Sequence, residues 1–177
     1  MSVPKRDARL VNLLGATVLA GADRASAAIA EPPGLGGAGP GVLVHLAAYP
    51  GESVEALHRV LGISQPGTVQ LVQRLVDHGL LERRPGRDRR THALHLTPAG
   101  RRAVGELLER RAQVLATLLA PLSRAEREQL TPLLEKIVSG LAGDRSRAMT
   151  VCRLCDRDAC CREPGCPLSH TVVAGGA

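Results

Sequence analysis

The sequence of 177 residues has almost no aromatic side chains: phenylalanine and tryptophan are absent, and Tyr49 is the single tyrosine. A hydrophobic core must therefore consist of aliphatic residues, and alanine and leucine pack readily between helices. The chain also lacks a run of about 18 apolar residues, and no small-residue cleavage site follows its first residues. We therefore expect a soluble, cytoplasmic protein that does not enter a membrane.

Sequence motifs for catalysis are missing as well. The six histidines are scattered along the chain, and no glycine-rich phosphate loop follows a predicted strand. No nucleophile motif is present either. These absences argue against an enzyme.

Cysteine is absent from the first 151 residues, and all five cysteines lie between Cys152 and Cys166. A secreted domain held together by disulfides would distribute its cysteines through the fold. The cysteines therefore indicate a separate feature of the C-terminal tail.

Positive charge is concentrated in one segment. The formal net charge is +6, but residues 74–102 alone contain eight arginines and three acidic residues. A patch of this kind suits a polyanion, because each neutralised phosphate releases condensed counterions. A solvated charged face is the alternative interpretation.

The N-terminal part predicts a long helix and then a loop. Leucine and valine recur at helical spacing over residues 6–30. The proline- and glycine-rich segment Glu31–Gly41 interrupts this pattern and predicts a loop. A short apolar helix is expected next, over Val42–Tyr49.

The following segment predicts a helix-turn-helix. Ser53 can cap a helix over Val54–Leu61, and Gly62 provides a tight turn. Ser64 can cap a second helix over Gln65–His78, which a glycine terminates. Two helices joined by a short glycine turn are typical of DNA-binding motifs.

A two-stranded wing and two further helices are predicted after the helix-turn-helix. Leu81–Arg84 and Thr91–Thr97 have strand character and flank an arginine-rich turn. Thr97 and the proline after it then open a helix that extends to Leu119. Ser123 and Glu126 form a capping box for a last helix through Leu141.

The second helix of the motif has the two faces that a recognition helix requires. A step of 100° per residue turns Val72, Leu75 and Val76 inward. The outward residues are small at the start of the helix and polar further on, and glutamine and arginine can read adenine and guanine in the major groove. The arginines of the wing can enter the minor groove or contact phosphates. The predicted DNA-binding residues are Ser64, Gln65, Pro66, Gln70, Gln73, Arg74, Arg87, Arg89 and Arg90.

The run ISQPGTVQLVQRLVDHGLLERRPGRDRRTHALHLTPAGR resembles the winged helix-turn-helix core of the MarR family. The order of helices on both sides is also similar, so the resemblance extends over about residues 6–142. It implies a homodimer held by the first and last helices, with two recognition helices on a pseudo-palindrome. By position, Asp88 and Arg90 match the family's wing, where the aspartate braces the arginines and the arginine reaches into the minor groove. Gly67 departs from the larger residue that the family often has there.

The fold class expected from these patterns is mainly α with a small β-wing. Residues 1–30 and 98–142 form helical dimerisation regions, and residues 42–97 form the winged helix-turn-helix domain. The alternative to dimerisation is an intramolecular three-helix bundle. Residues 150–170 form a short cysteine-rich tail.

The spacing of the tail cysteines predicts a metal centre. A Cys-x2-Cys pair turns two thiolates towards one metal, and two further thiolates complete a tetrahedron. The preferred ligands are Cys152, Cys155, Cys160 and Cys166, with Cys161 and His170 as alternates. Zinc is the first candidate, an iron–sulfur cluster uses the same ligand types, and a disordered tail of free thiols is the third interpretation.

The sequence therefore predicts a transcriptional repressor that binds a pseudo-palindromic operator in double-stranded DNA as a homodimer. The tail could make it responsive to metal or redox state. One alternative is a non-specific architectural DNA-binding protein. Another is a regulator that senses a small molecule and uses its tail only as a structural zinc site.

Overall fold

The computed structural model describes residues 4–30, 36–86, 92–162 and 165–173. It is mainly helical and has one antiparallel sheet of two strands, β1 (Leu81–Pro85) and β2 (His92–Leu96). This confirms the predicted fold class. A 3₁₀ turn at Lys5–Asp7 precedes the helices, which in the described ranges are α1 (Ala8–Ile29), α2 (Gly39–Ala48), α3 (Val54–Leu61), α4 (Gln65–Asp77), α5 (Pro98–Leu119), α6 (Arg124–Ser139), α7 (Arg145–Val151), α8 (Arg157–Cys160) and α9 (His170–Val173).

The predicted helix caps are present. The hydroxyl groups of Ser53, Ser64 and Thr97 each accept a hydrogen bond from the backbone N–H three residues further on, at 3.2, 3.3 and 3.0 Å. Each cap pairs an N–H group that the first turn of a helix would otherwise leave without a partner. Ser123 and Glu126 form the predicted capping box at the start of α6.

Several predicted boundaries need correction by one to three residues, among them the ends of α1, of α2 and of both strands. Helix α2 begins at Gly39, so the last three residues of the predicted loop are helical. Pro40 is accepted there because the first turn of a helix does not use its N–H groups. Helix α4 ends at Asp77, with His78 as its C-cap, and α6 ends at Ser139 rather than at Leu141.

The strands pair in a register that buries one face of the wing. Leu81 lies opposite Leu96, and both are buried together with Leu94. The loop between α2 and α3 pairs with the other edge of β2: the N–H of Gly51 donates to the Leu94 carbonyl at 2.8 Å, and the N–H of Leu94 donates to the Glu52 carbonyl at 3.0 Å. This pairing fixes the base of the wing to the helix-turn-helix.

The main core is aliphatic, as the composition predicts. It joins α2, α3, α4, α5 and both strands, and its largest fully buried hydrophobic side chains are Leu43, Leu46, Leu57, Leu75, Leu81, Leu94, Val42 and Val72. One polar pair lies beside this core. The side chain of His45 is buried, and its Nε2 lies 2.6 Å from Glu52 Oε2. The core therefore holds α2, α3 and the wing as one unit.

The long helices bury only part of their apolar surface. Helix α1 packs against α5. Its leucines nevertheless stay exposed, with Leu10 at 66% and Leu19 at 68%, and on α6 Leu133 is 59% exposed. An intramolecular bundle would have covered these faces. In the described part of the chain, no helix has the length and apolar character that a membrane span requires.

One backbone carbonyl joins the recognition helix, the wing and α5. The N–H of Thr97 donates to the Leu80 carbonyl at 3.1 Å, and the Thr97 hydroxyl donates to the Gly79 carbonyl at 2.6 Å. A Cβ on Gly100 would lie 2.1 Å from the Leu80 oxygen. Only glycine at position 100 therefore allows α5 to approach the end of α4 this closely.

We expect Gly100→Ala to destabilise the protein by about 1–3 kcal/mol, because the new methyl group forces α5 away from Leu80. Gly105→Ala is the matched control: it lies on the same helix, and a Cβ there meets nothing within 4 Å. The control substitution should stabilise the protein by about 1 kcal/mol, because alanine has a higher helix propensity than glycine. Urea denaturation measures both effects, and equal stabilities of the two variants would contradict this packing.

Candidate nucleic-acid interface and cysteine tail

Helix α4 is divided into a buried and an exposed face, largely as predicted. Thr68, Leu71, Val72 and Leu75 are buried against the core, while Val76 is only partly buried. The exposed face carries the predicted DNA-reading residues Ser64, Gln65, Pro66, Gln70, Gln73 and Arg74. The core thus holds α4 from behind and leaves its polar side open.

The first turn of α4 is narrow and tightly capped. The Ser64 hydroxyl accepts from the N–H of Gly67, and the Thr68 hydroxyl donates to the Ser64 carbonyl at 3.0 Å. A Cβ at Gly67 would come within 3.1 Å of Ser64 Oγ. The glycine that departs from the family pattern thus lies directly against the cap, although α3 has the same cap with Ala56 at the corresponding position.

The polar residues of α4 differ in how they are engaged. Gln73 donates through Nε2 to Asp77 Oδ1 at 2.8 Å and accepts from Arg83 Nη1 at 2.8 Å. It therefore links α4 to β1. Among the described residues, none forms a hydrogen bond with the side chains of Gln70 or Arg74, so these two present their full hydrogen-bonding capacity to solvent.

Two residues at this surface were missed by the sequence analysis. Val69 is 46% exposed although it is apolar, and it lies one turn beyond Pro66 and one turn before Gln73. An exposed methyl group in this position suits the C5-methyl of thymine. Helical spacing from Gln65 could have identified it. Arg83 could not be found in this way, because its contact with Gln73 crosses from a helix to a strand.

The described part of the wing consists of its two strands. Its strands are paired as far as Pro85 and His92, and Arg84 forms an ion pair with Glu82 at 2.5 Å. The predicted wing residues Arg87, Asp88, Arg89 and Arg90 lie outside the part of the chain that the structure describes.

A capped helix with an open polar face, preceded by α3 and followed by a paired β-ribbon, defines a winged helix-turn-helix protein. A family model described as the MarR family matches residues 34–91. This confirms, over that segment, the resemblance predicted from the sequence. No curated relative matches the chain.

Solved structures share the fold over most of the chain. A MarR transcriptional regulator from Methanosarcina mazei Go1 is 23% identical, with 73% of this chain and 96% of that one covered and a TM-score of 0.60. A mutant of MarR from E. coli is 21% identical, with coverage of 78% and 98% and a TM-score of 0.62. A probable transcriptional regulator from Pseudomonas aeruginosa is 29% identical, with coverage of 70% and 96% and a TM-score of 0.52.

The cysteine tail is docked on the winged domain. The Thr150 hydroxyl on α7 donates to the Val60 carbonyl at the end of α3, at 3.0 Å. Arg157 Nη1 donates to the Tyr49 hydroxyl at 2.6 Å, and its guanidinium lies 5.2 Å from the centre of that ring. The single aromatic residue of the chain therefore anchors the tail rather than the core.

The five thiols interact with one another. The Cys155 thiol donates a hydrogen bond to Cys152, which lowers the pKa of Cys152 and raises the pKa of Cys155. Burial, and then repulsion from Cys155, raises the pKa of Cys160 to about 12. The electrostatic effects of Cys161 and Cys166 reach both Cys152 and Cys160. Cys152, Cys155 and Cys160 therefore lie near one another, and Cys161 and Cys166 are close enough to affect their charge.

The predicted metal ligands are only partly assembled. Cys152, Cys155, Cys160 and Cys166 are partly buried, whereas Cys161 is exposed. The alternate ligand His170 is also exposed, and its Nδ1 lies 3.1 Å from the Pro167 carbonyl. Across the described ranges, no group of three or more histidine, cysteine or acidic side chains stands in an arrangement that would hold an ion.

Proposed function

We propose that this protein is a sequence-specific DNA-binding transcriptional regulator, acting as a repressor at a pseudo-palindromic operator. The open face of α4 carries this proposal. Gln70 and Arg74 can pair with base edges in the major groove, and Val69 adds an apolar contact. The capped N-terminus of α4 suits the close approach that a recognition helix makes.

The charge distribution supports a DNA partner. Residues 74–102 contain eight arginines, of which Arg74, Arg83 and Arg84 lie on α4 and β1. Arg87, Arg89 and Arg90 belong to the connection between the strands, and in the proposal they contact phosphates or the minor groove with Asp88 as their brace. Their charge supplies affinity, and α4 supplies the preference for sequence.

We propose that the operator is bound by a homodimer. The apolar faces of α1 and α6 are too large and too exposed for a soluble monomer, and a second copy of this chain offers the same faces in return. A two-fold dimer would place two α4 helices about 34–36 Å apart, on successive turns of the major groove.

Substitutions on α4 and on the wing should have different effects. Gln70→Ala and Arg74→Ala each remove a base contact and should reduce discrimination between operator and scrambled DNA by about 1–3 kcal/mol. Arg90→Ala removes a phosphate contact and should weaken binding to both DNAs alike, with a salt slope smaller by about 1. Competition binding across a salt series measures both.

The architectural alternative makes the opposite prediction. A non-specific binder needs the arginines but not the α4 face, so Gln70→Ala would leave its binding unchanged. If the purified dimer prefers no natural promoter fragment over scrambled DNA at any salt concentration, the sequence-specific function is wrong.

The dimer can be tested on α6. Leu133→Glu places a charge on the exposed apolar face and should convert the dimer to monomer, because burying that charge is too costly. Thr131→Glu is the matched control, since residue 131 is exposed on the other side of the same helix. Sedimentation equilibrium gives the mass. A wild-type monomer, or a Leu133→Glu dimer, would contradict the interface.

We further propose that DNA binding responds to the metal or redox state of the tail. The tail touches both parts of the regulator: Thr150 contacts the end of α3, and the small apolar cluster around Leu168 includes Val138 of α6. A change at the thiols can therefore reach both the helix-turn-helix and a dimer helix.

Removal of the metal by a chelator should change operator affinity by between about 5- and 150-fold, the usual range for coupled sites. Thr150→Val keeps the shape of the side chain but removes its hydrogen bond to α3. This variant should retain the metal, and removal of the metal should change its operator affinity less than that of the wild type. Fluorescence anisotropy with operator DNA measures the affinities. Equal affinity of loaded and stripped protein would instead favour a purely structural tail and a separate small-molecule sensor.

A further inference from the structure

A cavity of about 320 Å³ lies between α2 and the cysteine tail. Ala48 and Tyr49 form part of its wall on the winged domain. Four of the five cysteines line it from the tail, namely Cys152, Cys155, Cys161 and Cys166. Thiols that belong to three separate turns of the chain therefore open onto one cavity, which is partly open to solvent.

The charge of the cavity favours an anionic occupant. Arg145, Arg153 and Arg157 line it, whereas no aspartate or glutamate is among its described lining residues. Each metal-bound cysteine is a thiolate, so a centre with four such ligands gathers negative charge. Three guanidinium groups at the wall would offset that charge.

The tail has very little core of its own. Its buried apolar residues are Ala142, Ala148 and Leu168, and two of the thiols, Cys152 and Cys166, pack against them. A segment with so few buried side chains normally needs a disulfide or a metal to stabilise it. The thiols lie where such a centre would connect α7 to the turn before α9.

The cavity is larger than a single zinc ion requires. Around one zinc, thiolates stand roughly 3.8 Å apart because each Zn–S bond is roughly 2.3 Å. In the described part of the chain no three donors already stand together around one point, so the thiolates would have to close in on any metal that binds. In a cluster the thiolates bind different iron atoms and surround a larger inorganic core. A cavity lined by four cysteines leaves room for such a core.

We propose that this cavity holds an iron–sulfur cluster bound by Cys152, Cys155, Cys166 and one thiolate of the adjacent pair Cys160 and Cys161. Cys160 contacts the Cys155 thiol, and Cys161 lines the cavity, so either can complete the four ligands. Because α2 forms one wall, the cluster would also hold the tail against the winged domain. This proposal does not depend on the DNA-binding function.

The full-length protein should be isolated without oxygen and, in parallel, reconstituted with ferric iron, sulfide and a thiol reductant. We expect a brown protein with visible charge-transfer absorption, and with iron and acid-labile sulfide in equal amounts. A colourless protein that carries one zinc per chain, and takes up no iron after reconstitution, would overturn the proposal.

Cysteine variants test the ligand set. Cys152→Ser, Cys155→Ser, Cys166→Ser and the double variant Cys160→Ser with Cys161→Ser should each lose the cluster absorption. Ser169→Ala is the matched control, because Ser169 lines the cavity without a metal-binding side chain. The single variants at positions 160 and 161 then identify the fourth ligand. Retention of full iron and sulfide in the double variant would exclude this ligand set.

A variant could also lose the cluster because the protein unfolds, and two further measurements detect this case. Circular dichroism and sedimentation of each variant report whether the winged domain and the dimer remain intact. Iron content is measured without DNA, so a negative result here leaves the regulator function standing. A protein that carries the cluster but binds no operator would contradict the proposed function alone.

Discussion

The carbonyl group of Leu80 is the point at which the parts of this protein meet. It accepts the N–H of Thr97, whose hydroxyl caps α5, and Gly100 on α5 lies against it. Helix α4 ends three residues earlier, and β1 begins at the next residue. The orientation of α4 relative to the wing and to α5 is therefore set by contacts around this one carbonyl group.

The DNA-facing surface depends on that junction in two ways. The core behind α4 fixes which residues point outward, and the pairing of Gln73 with Arg83 keeps the helix in register with β1. A residue that looks like a base reader in the sequence thus acts as a brace between two elements. Gln70 and Arg74 are left to present their side chains to a partner.

The tail is an addition to the winged helix-turn-helix fold, and it packs on that fold from outside. The tail contacts Val60 and Tyr49 through polar groups, and Leu154 packs against the main core. A centre at the thiols would hold the turns of the tail together, because the apolar cluster around Leu168 is small. A change at the thiols would therefore alter the tail first and the winged domain next.

The sequence alone determined the caps, most helix and strand bounds and the two faces of α4, because those features depend on residues within a few positions of one another. Ser64 needs only the N–H of Gly67, and a step of 100° per residue places Leu75 inward. Tertiary structure alone decided that Gln73 contacts Arg83 and that Thr150 reaches Val60, ninety residues away. It also decided that four of the five cysteines line one cavity. Such contacts join segments whose separation leaves no periodic trace in the chain.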